Sequence, residues 1–177
     1  MTYFDIAAFT AAVVFVIWAV FVQRRLAEMQ ANIKNAMKNI AMLFSSRFDV
    51  LTELLELTEN YAERESTALM EIVKARRGII TENSQPTDVL QQEGAIAEIL
   101  ERILAVAEKY PELKNDENYL KCVNAAANCE KLVRSGRLVY NDSVTKLNRE
   151  IKMFPISLLA GIFGFHRMDY LESIDGK

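Results

Sequence analysis

Residues 6–22 read IAAFTAAVVFVIWAVFV, and this run decides the architecture. It carries no charge, and Thr10 is its only polar residue. Its helical rise would be roughly 26 Å, close to the ~30 Å hydrocarbon core of a bilayer. Tyr3 and Phe4 extend it at one end, and Trp18 suits an interface at the other. A buried core helix would show a polar face, which this run lacks. A cleaved signal peptide would show a basic leader and small residues before the cut. Here Asp5 precedes the run without any Lys or Arg, and the run ends Phe21-Val22-Gln23. The reading is therefore a retained transmembrane anchor over residues 1–24, with the lipid bilayer as its partner. Arg24 and Arg25 follow directly, then Lys34 and Lys38. The positive-inside rule predicts that this side faces the cytoplasm and that the short N-terminus lies outside.

Moving outward, no Gly or Pro occurs before Gly78. A helix is therefore expected to run from the membrane to about residue 77, a rod of roughly 110 Å. From Ile33 a heptad-like seam appears: Ile33, Met37, Ile40, Phe44, Leu51, Leu54, Tyr61, Ala68, Ile72, Ala75 and Ile79, with polar steps at Arg47, Thr58 and Glu65. Such a period marks a helix packed at a shallow angle against others. Gly78 and the polar run 81–86 then break it.

A second helix is predicted from Thr87 or Asp88, with Ile96, Ile99, Leu100, Ile103, Leu104 and Ala107 on one face, ending at Tyr110-Pro111. A third, capped by Asn115 or Asp116, is predicted over about 116–153. Its seam is Tyr119, Val123, Ala126, Glu130, Val133, Arg137, Tyr140, Val144, Leu147 and Ile151. The apolar tail at 154–165, interrupted by Pro155, Gly161 and Gly164, is too short to span a bilayer. It is expected to cap the bundle, the alternative being a membrane or partner surface. The last dozen residues are expected to fray. The predicted fold is all-α: a transmembrane helix continuing into a long stalk, then an up-and-down helical bundle, with residues 25–177 as the second domain.

These segments resemble the LemA family of bacterial membrane proteins over most of residues 33–172. The resemblance is carried by Ala107-Glu108-Lys109-Tyr110-Pro111-Glu112-Leu113-Lys114 and by Glu130, Arg137 and Tyr140-Asn141-Asp142. It continues through Asn148, Phe154-Pro155, Leu159-Ala160-Gly161 and Gly164-Phe165. Earlier in the chain, Arg47-Phe48-Asp49, Tyr61-Ala62-Glu63-Arg64-Glu65 and Ala75-Arg76 also match. Where the family usually continues with a proline, this chain has Leu51-Thr52-Glu53-Leu54, which predicts a straighter first helix. Arg64 stands where the family often has histidine, and Lys146-Leu147-Asn148 replaces a Tyr-Asn pair. The resemblance implies an anchored helical bundle at a bacterial cytoplasmic membrane, or an intracellular membrane derived from it. Of activity it implies little chemistry and points toward membrane organisation.

The residues themselves point away from catalysis and predict no cofactor. His166 is the single histidine, and no phosphate loop, nucleophile elbow or HExxH motif occurs. The net charge of −3, without a long basic run, argues against a nucleic-acid partner. Cys122 and Cys129 lie two helical turns apart, roughly 10 Å, too far for a disulfide within one helix. Charged seam positions raise the question of a di-metal carboxylate site, but no ExxH motif accompanies them. The expected arrangement is instead a structural polar core of Arg47, Asp49, Glu65, Glu130, Arg137 and Asn141, since charges in a core must be paired. The charged run Glu53, Glu56, Glu59, Glu63 and Arg64 reads as a solvated face, with a docking strip as the other possibility. The expected role is a non-enzymatic scaffold or adaptor, homo-oligomeric, with a possible membrane-protein partner. The alternative is a regulatory subunit of a membrane protease or envelope-stress system.

Overall fold

In the computed structural model, which describes residues 3–171, α1 spans Tyr3–Glu59 without interruption. No Gly or Pro interrupts it, and it passes straight through Leu51-Thr52-Glu53-Leu54. It is followed by α2 (Glu63–Arg76), α3 (Pro86–Lys109), the single turn α4 (Pro111–Lys114), α5 (Glu117–Glu150) and the short α6 (Ile156–Ile162). Among the described residues every regular element is helical.

The expected helix to residue 77 ends instead at Glu59, and the chain folds back as α2. The reversal needs neither Gly nor Pro. Thr58 accepts backbone hydrogen bonds from Tyr61 and Ala62, both at 3.0 Å. Its hydroxyl donates to the Leu55 carbonyl at 2.9 Å and lies 3.0 Å from the Ser66 hydroxyl across the turn. Helix dipoles favour the break. Glu56 and Glu59 sit at the carboxyl end of α1, where negative charge is disfavoured, whereas Glu63 and Glu65 occupy the first turn of α2, where it is favoured. The reversal also resets the seam. Ser66, Leu69 and Val73 are buried in α2, and Ile80 follows, while Ala68, Ile72, Ala75 and Ile79 are exposed. Gly78, with φ +78°, turns the chain after α2 in a conformation that side chains rarely adopt.

Helix α5 makes the most extensive packing against α1, and the two run antiparallel. Arg25 meets Glu150, Gly136 lies against Ile40 and Leu43, and Cys122 lies beside Glu53. A Cβ at Gly136 would sit 3.2 Å from Leu43 and 3.3 Å from Ile40, so the missing side chain sets how close the two helices come. At the far end Tyr61 and Tyr110 close the bundle, their rings 5.5 Å apart.

The start of α3 lies just before the predicted caps. Gln85 is the N-cap, Pro86 the first helical residue, and Asp88 accepts the Gln85 backbone N–H at 2.8 Å. In α5, Asp116 caps the helix by accepting from the Tyr119 N–H at 2.9 Å. One continuous core runs along α1 from Val22 and Leu26 to Leu54 and Leu55. The bundle therefore begins where the apolar run ends. The stretch read as a long stalk with a packed seam is the bundle's central helix.

Candidate membrane anchor and polar sites

The first five turns of α1 stand apart from this core. The most apolar 18 residues have a mean hydropathy of 2.3. Phe4, Phe9, Val14, Phe15, Ile17 and Phe21 are all exposed. An apolar surface of this size, bare in water, would forfeit of order 1.5–3 kcal/mol for each large side chain that could be buried, which an apolar surrounding restores. Thr10 donates its hydroxyl to the Ala7 carbonyl at 2.9 Å, so the one polar side chain in the run is satisfied within the helix.

Trp18 is half-buried and tilted against Phe15 at 5.8 Å. Arg24 is exposed, as a flank should be. Arg25 does more than flank, because it bonds Glu150 at 3.1 Å. Glu150 is buried at the carboxyl end of α5, an unfavourable place for a carboxylate, and Arg25 compensates it. Nothing in the local sequence marked Glu150 as the partner.

The charged cluster in the bundle differs in membership from the expected one. Arg47 of α1 is buried at 6% exposure. Arg137 of α5 forms an ion pair with Glu93 of α3, and both side chains are nearly enclosed. Glu130 is exposed on α5 yet close enough to act electrostatically on Arg47, as Glu93 also does. Burial pulls the Arg47 pKa down, and the Glu130 and Glu93 carboxylates oppose that. Burial pushes Glu93 up, against the pull of Arg137 and then Arg47. Nε of Arg137 is buried without a hydrogen-bond partner.

Asp49 and Glu65 are not in this cluster. Asp49 is exposed and pairs with Arg77, and Glu65 is exposed in the first turn of α2. For Glu65 the hairpin is the physical reason, since it turns the seam positions after residue 59 to a new face; Asp49 lies before the hairpin, on the side of α1 away from the buried stripe of Phe44, Arg47, Phe48 and Leu51. Glu93 continues the apolar face of α3 one turn before Ile96, and the face read from the sequence begins only at Ile96, so it leaves Glu93 out. Gln92 beside it ties α3 to the end of α2, accepting from Arg76 at 3.2 Å and donating to the Arg76 carbonyl at 2.7 Å. Among the described residues no group of three His, Cys, Asp or Glu side chains is placed to hold a metal ion.

Asn141 belongs to a third arrangement. Its side chain donates to the Leu171 carbonyl and accepts from the Leu171 N–H, both at 2.8 Å. Asn148 clasps Met168 in the same way, at 2.8 and 2.9 Å, and the Tyr140 hydroxyl donates to the Asp169 carbonyl at 3.2 Å. These side chains hold residues 168–171 along α5 and bury Leu171. The expected fraying is corrected as far as Leu171; the rest of that stretch lies outside the described residues. His166 is exposed. Cys122 is buried, its thiol pushed up to about 11 by burial and then by Glu53.

The apolar tail is divided. Leu159 and Ala160 of α6 are buried, as a cap requires, but Phe154, Leu158 and Ile162 are exposed.

A family model described as the LemA family matches residues 36–177. Over 84 residues the chain is 30% identical to magnetosome proteins MamQ 2 and MamQ 1 of Paramagnetospirillum magneticum. It is 29% identical over 84 residues to magnetosome protein MamQ of Magnetospirillum gryphiswaldense. These matches cover 48% of this chain but 31% of each relative, so the chain spans about a third of the length of the curated relatives it matches.

Proposed function

The chain belongs to the LemA family, and from that premise we propose that it is a self-assembling, membrane-anchored scaffold that organises proteins or membrane at the cytoplasmic membrane. The observation that carries this reading is the continuity of α1. One helix is both the exposed apolar run and the central helix of the bundle, so nothing flexible separates anchor from bundle. A tethered enzyme gains little from such a joint. A scaffold needs it, because the joint fixes which faces of the bundle neighbouring molecules meet.

Further support comes from the apolar side chains left on the bundle. Met42 of α1 and Leu132, Leu138 and Val139 of α5 are exposed, and the relatives that the chain matches are named as magnetosome proteins. In this reading Arg24 and Arg25 keep the bundle on the cytoplasmic side and the N-terminus outside.

Two measurements test it. Crosslinking in native membranes followed by mass spectrometry should give self-crosslinks through the Leu132–Val139 face of α5. A single dominant hetero-partner would instead favour a regulatory subunit of another membrane protein. A reporter that is active only in the cytoplasm, fused at the C-terminus, should be active. An inactive one, with the fusion intact, would reverse the orientation.

A further inference from the structure

The divided apolar tail bears on how the bundle sits at the membrane. The antiparallel register of α1 and α5 places Glu150 level with Arg25. Beyond that point α5 has ended, yet Val22 is still only 3% exposed, and Trp18 and Ala19 are half-buried. The next helix after α5 is α6, and it too packs on α1. Its inner face is Leu159 and Ala160, both buried, with Ile156 and Phe163 packed against the core.

The outer face is bare. Leu158 is 63% exposed and Ile162, one turn on, is 76% exposed; Phe154, just before the helix, is 81% exposed. A Cβ at Gly161 would meet nothing within 4 Å among the described residues, so the helix is open at that point too.

Height decides what covers it. A helix from Phe4 to Val22 rises roughly 28 Å, about the thickness of the hydrocarbon core. If that run spans the bilayer, α6 lies against its last turn and a half, at the boundary between acyl chains and headgroups. Arg149 and Lys152 precede the apolar patch in sequence, Arg24 follows the anchor run, and all three are exposed, the pattern of a segment lying in an interface with cations at headgroup level. Phe21, in the last turn of the apolar run, is likewise 64% exposed.

We propose that α6, with Phe154, is a second membrane contact: a short interfacial segment whose Phe154, Leu158 and Ile162 enter the bilayer surface beside the anchor. This rests on the anchor reading, which the same experiment tests separately. Two contacts at different points of the membrane plane restrain the bundle against rotation about α1 and against tilting.

Trp18 is the single tryptophan of the chain, which makes the test direct. The full-length protein is placed in vesicles containing lipids brominated near the carbonyl end of the acyl chain, and tryptophan quenching is measured. Three proteins are compared: the native chain, Trp18→Phe/Leu158→Trp, and Trp18→Phe/Leu138→Trp, whose tryptophan lies on the bundle far from the anchor. The expected result is blue-shifted, strongly quenched emission from position 158, comparable with Trp18, and little quenching from position 138. Quenching at 158 no greater than at 138, with Trp18 quenched, overturns this inference alone; a second copy covering the patch would give that result. An unquenched native Trp18 removes the anchor reading and this inference with it. Because Leu158 is exposed, the substitution is not expected to disturb folding, and Trp18→Phe/Ile162→Trp provides an independent reading of the same face.

Discussion

Residues 3–21 and 22–59 of α1 are one unbroken helix in two different surroundings. In the second part the apolar residues form a stripe that α2, α3 and α5 cover. In the first they face every direction, and no other helix of the chain covers most of them. The comparison teaches that helix formation and burial are separate questions. The absence of Gly and Pro allows the helix throughout. Where the polar residues fall decides whether protein or lipid surrounds it.

The sharpest way to break this comparison is to make the same change in both parts. Phe48 is 1% exposed and Phe15 is 56% exposed. Phe48→Ala should lower the stability of the detergent-solubilised protein by about 3–5 kcal/mol, from lost transfer energy and the cavity left behind. Phe15→Ala should leave the denaturation midpoint unchanged. Equal losses would mean that the first part is packed against protein.

Next in size is the charged cluster. Arg137→Ala removes the ion-pair partner of Glu93 and leaves it only the more distant pull of Arg47, and the loss expected is about 3 kcal/mol in the same denaturation measurement, near the lower end for breaking a buried pair. Glu65→Ala, at a position the sequence pattern placed in the same core, should stay within about 0.5 kcal/mol.

A smaller and more local effect is expected from Asn148→Ala. It removes both hydrogen bonds to Met168, which should cost about 1–3 kcal/mol. Hydrogen exchange should show the amides of Met168 and Leu171 losing protection while those of α1 keep theirs. Loss of protection throughout α1 would mean that the strap is part of the global folding unit.

Much of this was legible in the sequence because the signals were local. The exposed apolar start of α1, the proline-marked end of α3 and the Asp116 cap of α5 each follow from residues within one or two turns. The all-α class follows from long stretches without punctuation. The hairpin at residues 60–62 was not read because it lacks the residue types that usually mark a reversal. Its signals were Thr58 as a polar step in the seam and a run of carboxylates that suits a helix start better than a helix end. The partners of Arg137, Arg25 and Asn141 were out of reach for another reason. Glu93, Glu150 and the Leu171 backbone come together only through packing between distant segments, which no periodicity within a single helix encodes.

The central claim is that the bare part of α1 lies in a bilayer and joins a LemA-family bundle to it. Alkaline carbonate extraction of membranes from cells expressing the full-length chain, beside a Val14→Asp/Ile17→Asp variant, tests this most directly. Both residues are exposed in the structure, so the variant should still fold. The account predicts that the native chain stays with the membrane pellet and that the variant is released as a folded protein. Release of the native chain into the supernatant would contradict it.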